Sequence, residues 1–196
     1  MIFFQNFLFA FHMKYRLIHK SSTFSTNDDI KDYFDTDEPE GLVVIAEHQT
    51  NGRGVSGDWE DDGKSLLLFS LLLRPYCLIT DYLKINYCIA QAVIQAINIF
   101  DESLSLKVKW PNDVFLNRKK ICGILQEGDL RGKTLSSVAL GVGLNVNVKS
   151  DFFAKNDLEN GTSLYIESHR RWDKTILLNE ILNQFALLYE KTLKSL

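Results

Sequence analysis

Cysteine and proline are scarce in this chain, with three of each in 196 residues. Cys77, Cys88 and Cys122 are odd in number and match no metal or redox spacing, which argues against a disulfide framework or a cysteine-held zinc. They read as buried thiols of a reducing compartment, so a cytoplasmic location is expected. His12, His19, His48 and His169 are too scattered for a structural zinc site. No linker, repeat or low-complexity tract interrupts the chain, and residues 13–196 read as one domain. A net charge of −3 gives no reason to expect nucleic acid, and nothing before residue 40 resembles a helix-turn-helix. A bilayer-length apolar run is missing too. "MIFFQNFLFAFHM" is apolar but too short to span, and it lacks a basic leader and an A-x-A cleavage site, so no membrane partner is expected. Residues 1–12 read as an extra segment, or as residues upstream of a start at Met13.

A Walker A loop is also lacking. "NGRGVSGDWEDDGKS" (51–65) ends in Gly63-Lys64-Ser65, but five residues separate Gly57 from Gly63 where that motif has four before its Gly-Lys pair. Asp58, Glu60, Asp61 and Asp62 would repel a triphosphate, and an apolar run follows where a P-loop would open a helix.

What is present suggests strands gathered in the middle of the chain and helices placed around them. "LVVIAE" (42–47) and "SLLLFSLLL" (65–73) read as buried strands. Apolar residues at 82, 85, 89, 93, 96, 97 and 100 keep a helical period over 81–100. Segments 106–110, 114–116, 121–127 and 135–148 read as successive strands with Gly, Asn and basic residues at their turns. Residues 173–193 read as an amphipathic helix with Trp172, Ile176, Leu177, Ile181, Phe185, Leu188 and Tyr189 on its apolar face. This pattern implies an α+β fold, a mixed β-sheet layered by helices.

Four stretches carry polar chemistry. "KWPNDVFLNRKKICGILQEG" (109–128) places an aromatic, an amide, a carboxylate and several cations at neighbouring strand ends, and Gly123 within a strand suggests close approach of backbone or ligand. "HQTNGRGV" (48–55) follows a strand; its amides and Arg53 suit an anion. "GVGLNVN" (141–147) sets Gly141 and Gly143 in a strand beside the Asn145 amide. In "SSTFSTNDDI" (21–30), Ser25 or Thr26 is placed to cap a helix, with Asp29 as the capping-box acid.

In this order the stretches resemble the biotin protein ligases. The family pattern S-T-N, Q-x-x-G-R-G, K-W-P-N-D, K-x-x-G-I-L-x-E, G-x-G-x-N stands here as Ser25-Thr26-Asn27, Gln49 to Gly54, Lys109 to Asp113, Lys120 to Glu127 and Gly141 to Asn145. The resemblance covers residues 14 to about 190 and implies the class II aminoacyl-tRNA synthetase-like fold of that family's catalytic domain, without helix-turn-helix or C-terminal SH3-like domains. It implies an enzyme that joins biotin and ATP, with Mg2+, to biotinyl-5′-adenylate and passes biotin to a lysine of a biotin carboxyl carrier domain.

By the same resemblance, Lys120 lies near the biotin carboxylate and α-phosphate, and Arg53 holds phosphate as its loop closes. Ser25, Thr26 and Gln49 contact the biotin head beside Gly123, while Trp59 and Asn145 serve the adenylate. Asn27, Gly52, Gly54, Trp110, Asn112, Ile124 and Gly143 complete the implied binding set. Asp113 assists either magnesium or the incoming lysine, and Lys109 is either catalytic or orients Asp113; the metal ligands stay open. Many relatives carry a second arginine where this chain has Val55, and the loop before Trp59 is one residue shorter, so weaker retention of the adenylate is expected. The alternatives are a lipoate ligase or octanoyltransferase, and a non-catalytic biotin- or nucleotide-binding protein. Edge-to-edge pairing of sheets leaves a homodimer open.

Overall fold

The computed structural model describes residues 13–55 and 57–194; the expected extra segment, 1–12, lies outside the described residues. In chain order the elements are β1 (Arg16–Thr23), α1 (Thr26–Lys31), β2 (Leu42–Gln49), β3 (Leu66–Leu73), β4 (Cys77–Leu78), α2 (Tyr82–Phe100), β5 (Leu106–Lys109), β6 (Asp113–Leu116), β7 (Lys119–Arg131), β8 (Thr134–Asn145), α3 (Ser150–Lys155), α4 (Leu164–Ser168) and α5 (Lys174–Tyr189). The strands form one sheet in the order β1-β2-β3-β8-β7-β6-β5, with β4 paired to β8. β1 runs parallel to β2 and the other neighbours are antiparallel, so the expected mixed sheet layered by helices is the one observed.

Two faces of the sheet have different duties. One carries Leu67, Phe69, Leu71 and Leu73 of β3 with Val138, Leu140, Val142 and Leu144 of β8, packed against α2 and α5. Burying a side chain such as Phe69 or Phe185 completely contributes about 1.5–3 kcal/mol, so this layer supplies most of the stabilisation. With the turn before it, α2 is long and apolar enough to cross a bilayer, but its Ile85, Ile89, Val93 and Ile97 are buried in this layer. The opposite face holds α1 through Ile30, Leu42, Val44, Leu72 and Ala139, and leaves the middle of β7 and β8 to the site.

Several local readings are adjusted. α5 starts where Asp173 accepts from the amides of Thr175 and Ile176 at 2.8 and 3.0 Å, but Ile176 is 54% exposed, and Leu178 and Leu182 face inward instead. Phe100 closes α2 on its outer side, its ring edge-on to Trp172. The last long strand stops at Asn145 instead of 148. β1 was not anticipated: it is a half-exposed edge strand whose polar "HKSST" lacks an apolar alternation. Cys88 and Cys122 are buried as expected, and burial pushes the Cys122 thiol up to about 12; Cys77 is half-buried.

Candidate functional site

Strand alternation builds the floor of the site. Gly123 on β7 and Gly143 on β8 are direct cross-strand partners, as are Leu125 and Gly141, and Gly141 also pairs with Ser70 on β3. Because side chains alternate, these positions share the face away from α2 and α5. Three glycines there leave bare backbone over which other groups can lie.

Above this floor, α1 and the end of β2 supply polar atoms. Gln49 Oε1 accepts from the Thr26 amide at 2.8 Å and from its hydroxyl at 3.0 Å. Ser70, fully buried, donates to Asn27 Oδ1 at 2.6 Å and shares a 2.7 Å bond with Thr26 Oγ1. The Asn27 amide donates to Leu125 O at 3.2 Å and to Glu127 at 2.7 Å. The expected capping box therefore does not form. Ser25 is the N-cap of α1, without a side-chain bond, while Thr26 turns to Gln49 and Ser70, and Asp29 pairs with Lys20 and Thr23. Asp61, almost fully buried, holds the end of β2: it meets His48 at 2.7 Å and accepts from the Gln49 amide at 2.9 Å. "EDDG" is thus a turn that fixes Gln49.

Arg53 sits in an ion-pair network. Its guanidinium grips Asp28 with two bonds of 2.8 and 2.7 Å and approaches Glu127 at 3.4 Å, while Lys31 joins Asp28 at 2.7 Å and Glu127 at 2.9 Å. The Arg53 bond holds the Asp28 carboxyl down at about 2. Burial pushes Glu127 up, but its bonds from Asn27 and Lys31 outweigh this and its pKa is lowered. Lys120 Nζ is 2.7 Å from Asp113 and 5.3 Å from the centre of the Trp59 ring. Its backbone is clamped by Asn160 and Thr162, on the segment between α3 and α4.

Two cavities meet here. A narrow one of about 40 Å³ is lined by Ser25, Thr26, Asn27, Gln49, Gly123 and Ile124, among others. A cleft of about 600 Å³ adjoins it and includes Asp113, Asn145, Phe152, Phe153 and residues 157–161. Gly54, Val55, Trp59, Asn112 and Lys120 line both. Gly52 lies packed against the Trp59 carbonyl, shaping the loop instead of lining a cavity.

Of the sequence-derived set, Lys109 and Trp110 line neither cavity, although Lys109 stands directly across from Asp113 in the β5–β6 register. The Lys109 ammonium lies 4.8 Å over the Phe115 ring, and Trp110, 55% exposed, stacks on Tyr87. They flank a turn whose far side, Asn112-Asp113, does line the cleft. Sequence reading had missed Asp28, Lys31, Ser70 and the 152–161 segment. Only Ser70 left a signal, as a hydroxyl interrupting an otherwise apolar strand. Among the described residues no group of three His, Cys, Asp or Glu side chains is placed to hold a metal.

A cation between a small polar-capped cavity and a large open cleft suits the joining of two anions, one from each side. Known proteins bear on that chemistry. The model of the Biotin/lipoate A/B protein ligase family matches residues 20–145. The bifunctional ligase/repressor BirA of Bacillus spizizenii is 33% identical over 178 residues, covering 90% of this chain and 54% of that protein. The human biotin–protein ligase is 30% identical over 168 residues, covering 82% of this chain and 22% of the human one. The biotin protein ligase of Aquifex aeolicus, solved with biotin and ATP, superimposes with a TM-score of 0.72 at 26% identity, covering 92% of this chain and 72% of that one. This chain spans about half the length of the Bacillus relatives it matches.

Proposed function

The chain belongs to the biotin/lipoate A/B protein ligase family, and we propose that it is a biotin protein ligase, activating biotin with ATP and passing it to a lysine of a biotin carboxyl carrier domain. The supporting observation is the junction of the two cavities at Lys120.

The narrow cavity takes the biotin head. Thr26, Asn27 and Gln49 on its wall, tied to the buried Ser70 behind them, suit the donor and acceptor atoms of a ureido ring; the dithiolane of lipoate and the tail of octanoate have nothing to bond there. The cleft takes ATP, with Asn145 and Phe152 on its wall. The biotin carboxylate oxygen attacks the α-phosphorus, its bond to the bridging oxygen breaks, and pyrophosphate leaves. Lys120 screens both anions at that point, and Arg53 exchanges its carboxylate partners for phosphate as the loop closes. An incoming lysine amine then attacks the acyl carbon and AMP departs. Asp113, paired with Lys120 in the free protein and released as Lys120 turns to phosphate, then takes the amine proton. Magnesium would be held chiefly by the triphosphate itself, with few protein ligands, as is usual for that ion. Val55, exposed and bordering both cavities, supplies no cation, so looser retention of the adenylate belongs to the proposal. A cytoplasmic setting and the absence of membrane or nucleic-acid partners complete it.

The test is the intact mass of a carrier domain incubated with this protein, ATP, magnesium and biotin, with lipoate and octanoate in parallel. A biotin-sized gain on one lysine, lost in Lys120→Ala, is expected. A gain with lipoate or octanoate alone refutes the biotin assignment.

A further inference from the structure

The narrow cavity, about 40 Å³, is restricted from within, and the residue that restricts it is Trp59. A Cβ built on Gly143 would stand 2.5, 2.6 and 2.7 Å from Cε2, Nε1 and Cζ2 of its indole, and one on Gly123 would stand 2.6 Å from Cζ3. The ring therefore lies flat across both glycines, on the floor itself. Its Nε1 is buried there without a hydrogen-bond partner, an arrangement that costs free energy in a ring able to donate. The Lys120 ammonium, 5.3 Å from the ring centre, helps to hold it. So do the bond from the Trp59 amide to Gly52 O at 2.9 Å and the grip of Arg53, in the same loop, on Asp28 of α1. The indole also borders the 600 Å³ cleft, which has room to receive it.

We infer that Trp59 is an internal competitor for the acyl site: in the ligand-free protein its indole rests on the Gly123–Gly143 floor, and it must leave when the acyl substrate enters. Biotin as that substrate rests on the function proposed above; the competition itself rests on the contacts of the ring. The consequence runs against the usual expectation for an aromatic site wall. Where the binding-competent state is populated only fractionally, apparent affinity falls by that fraction. A closed state favoured about ten to one over the open one makes Trp59→Ala bind biotin about tenfold more tightly in the absence of ATP.

The experiment labels the native chain with 5-fluorotryptophan and assigns the three 19F resonances with single Trp→Phe variants. The Trp59 resonance is expected to be shielded from solvent without ligand, to shift and gain a solvent isotope effect on adding biotin, and to be exposed without ligand in Gly143→Ala. Calorimetry on Trp59→Ala is expected to show the tighter binding. Biotin that binds without moving the Trp59 resonance, or binds Trp59→Ala equally or more weakly, overturns the inference and leaves the biotin reading standing. Displacement by lipoate or octanoate alone upholds the competition and overturns the biotin reading. A Trp59 resonance already exposed in the free native chain overturns the competition.

Discussion

Two glycines in the same sheet present a controlled comparison. At Gly128, an added Cβ would come within 2.5 Å of Leu135 Cδ1, the free end of a flexible side chain. At Gly141 it would press on the amide of Asn27, inside contact with Oδ1 and 3.0 and 3.3 Å from Cγ and Nδ2. That amide cannot turn aside cheaply, because Ser70 donates to it at 2.6 Å while it donates to Leu125 O at 3.2 Å and Glu127 at 2.7 Å. Displacing it strands one or two buried partners at about 1–3 kcal/mol each. Alanine offsets about 0.4–1 kcal/mol of this by restricting the unfolded chain. Gly141→Ala should therefore lose about 2–3 kcal/mol, a fall in Tm of about 4–12 °C for a chain of this size. Gly128→Ala should lose less, about 1 kcal/mol, since only the end of the buried Leu135 side chain has to shift and no hydrogen bond is broken. Urea melts of the two variants beside the native chain measure both values. Equal losses, or a larger loss at Gly128, would refute the claim that the Asn27 network is rigid, and with it the account of the polar end of the narrow cavity.

The other predictions concern charge. Lys109→Ala should keep adenylate formation within about threefold of native, because the ammonium lies over Phe115, while Lys120→Ala should lose about a hundredfold or more of it; single-turnover rates of both variants decide this. Asp28 titrates at about 2 in the folded chain against an ordinary 3.8, so its contribution is complete above that ordinary value and is lost as pH falls toward 2. Its side chain is 35% exposed, so solvent screening reduces the contribution to about 1 kcal/mol. Asp28→Asn should then be less stable than native at pH 7 and nearly level with it at about pH 2; denaturant midpoints at the two values check the convergence.

The sheet core was legible because its strands are unbroken apolar runs and its helices keep a clean period. β3 and α2 could be placed from residues 66–73 and 82–100 without knowing their neighbours. β1 was not, because an edge strand with one bonded side needs few apolar residues and its pairing to β2 is specified elsewhere. The site divides in the same way. Its glycines and its lysine stand in short contiguous motifs, so Gly123, Gly143, Lys120 and Asn145 could be named in advance. The Arg53–Asp28–Glu127 network joins residues 25 and 74 positions apart, and the indole reaches glycines on two distant strands. Such pairings exist only after folding. Lys109 shows the converse: the motif puts it beside Asp113, and the register sets the two directly across from one another, but its ammonium lies over Phe115.

Exchange of labelled pyrophosphate into ATP, with biotin as the carboxylic acid, tests most directly whether Lys120 joins a biotin cavity to an ATP cleft, because it needs no carrier protein. Exchange that requires biotin, is not supported by lipoate or octanoate, and disappears in Lys120→Ala is the predicted result. Exchange supported only by lipoate or octanoate, or undiminished in Lys120→Ala, would contradict it.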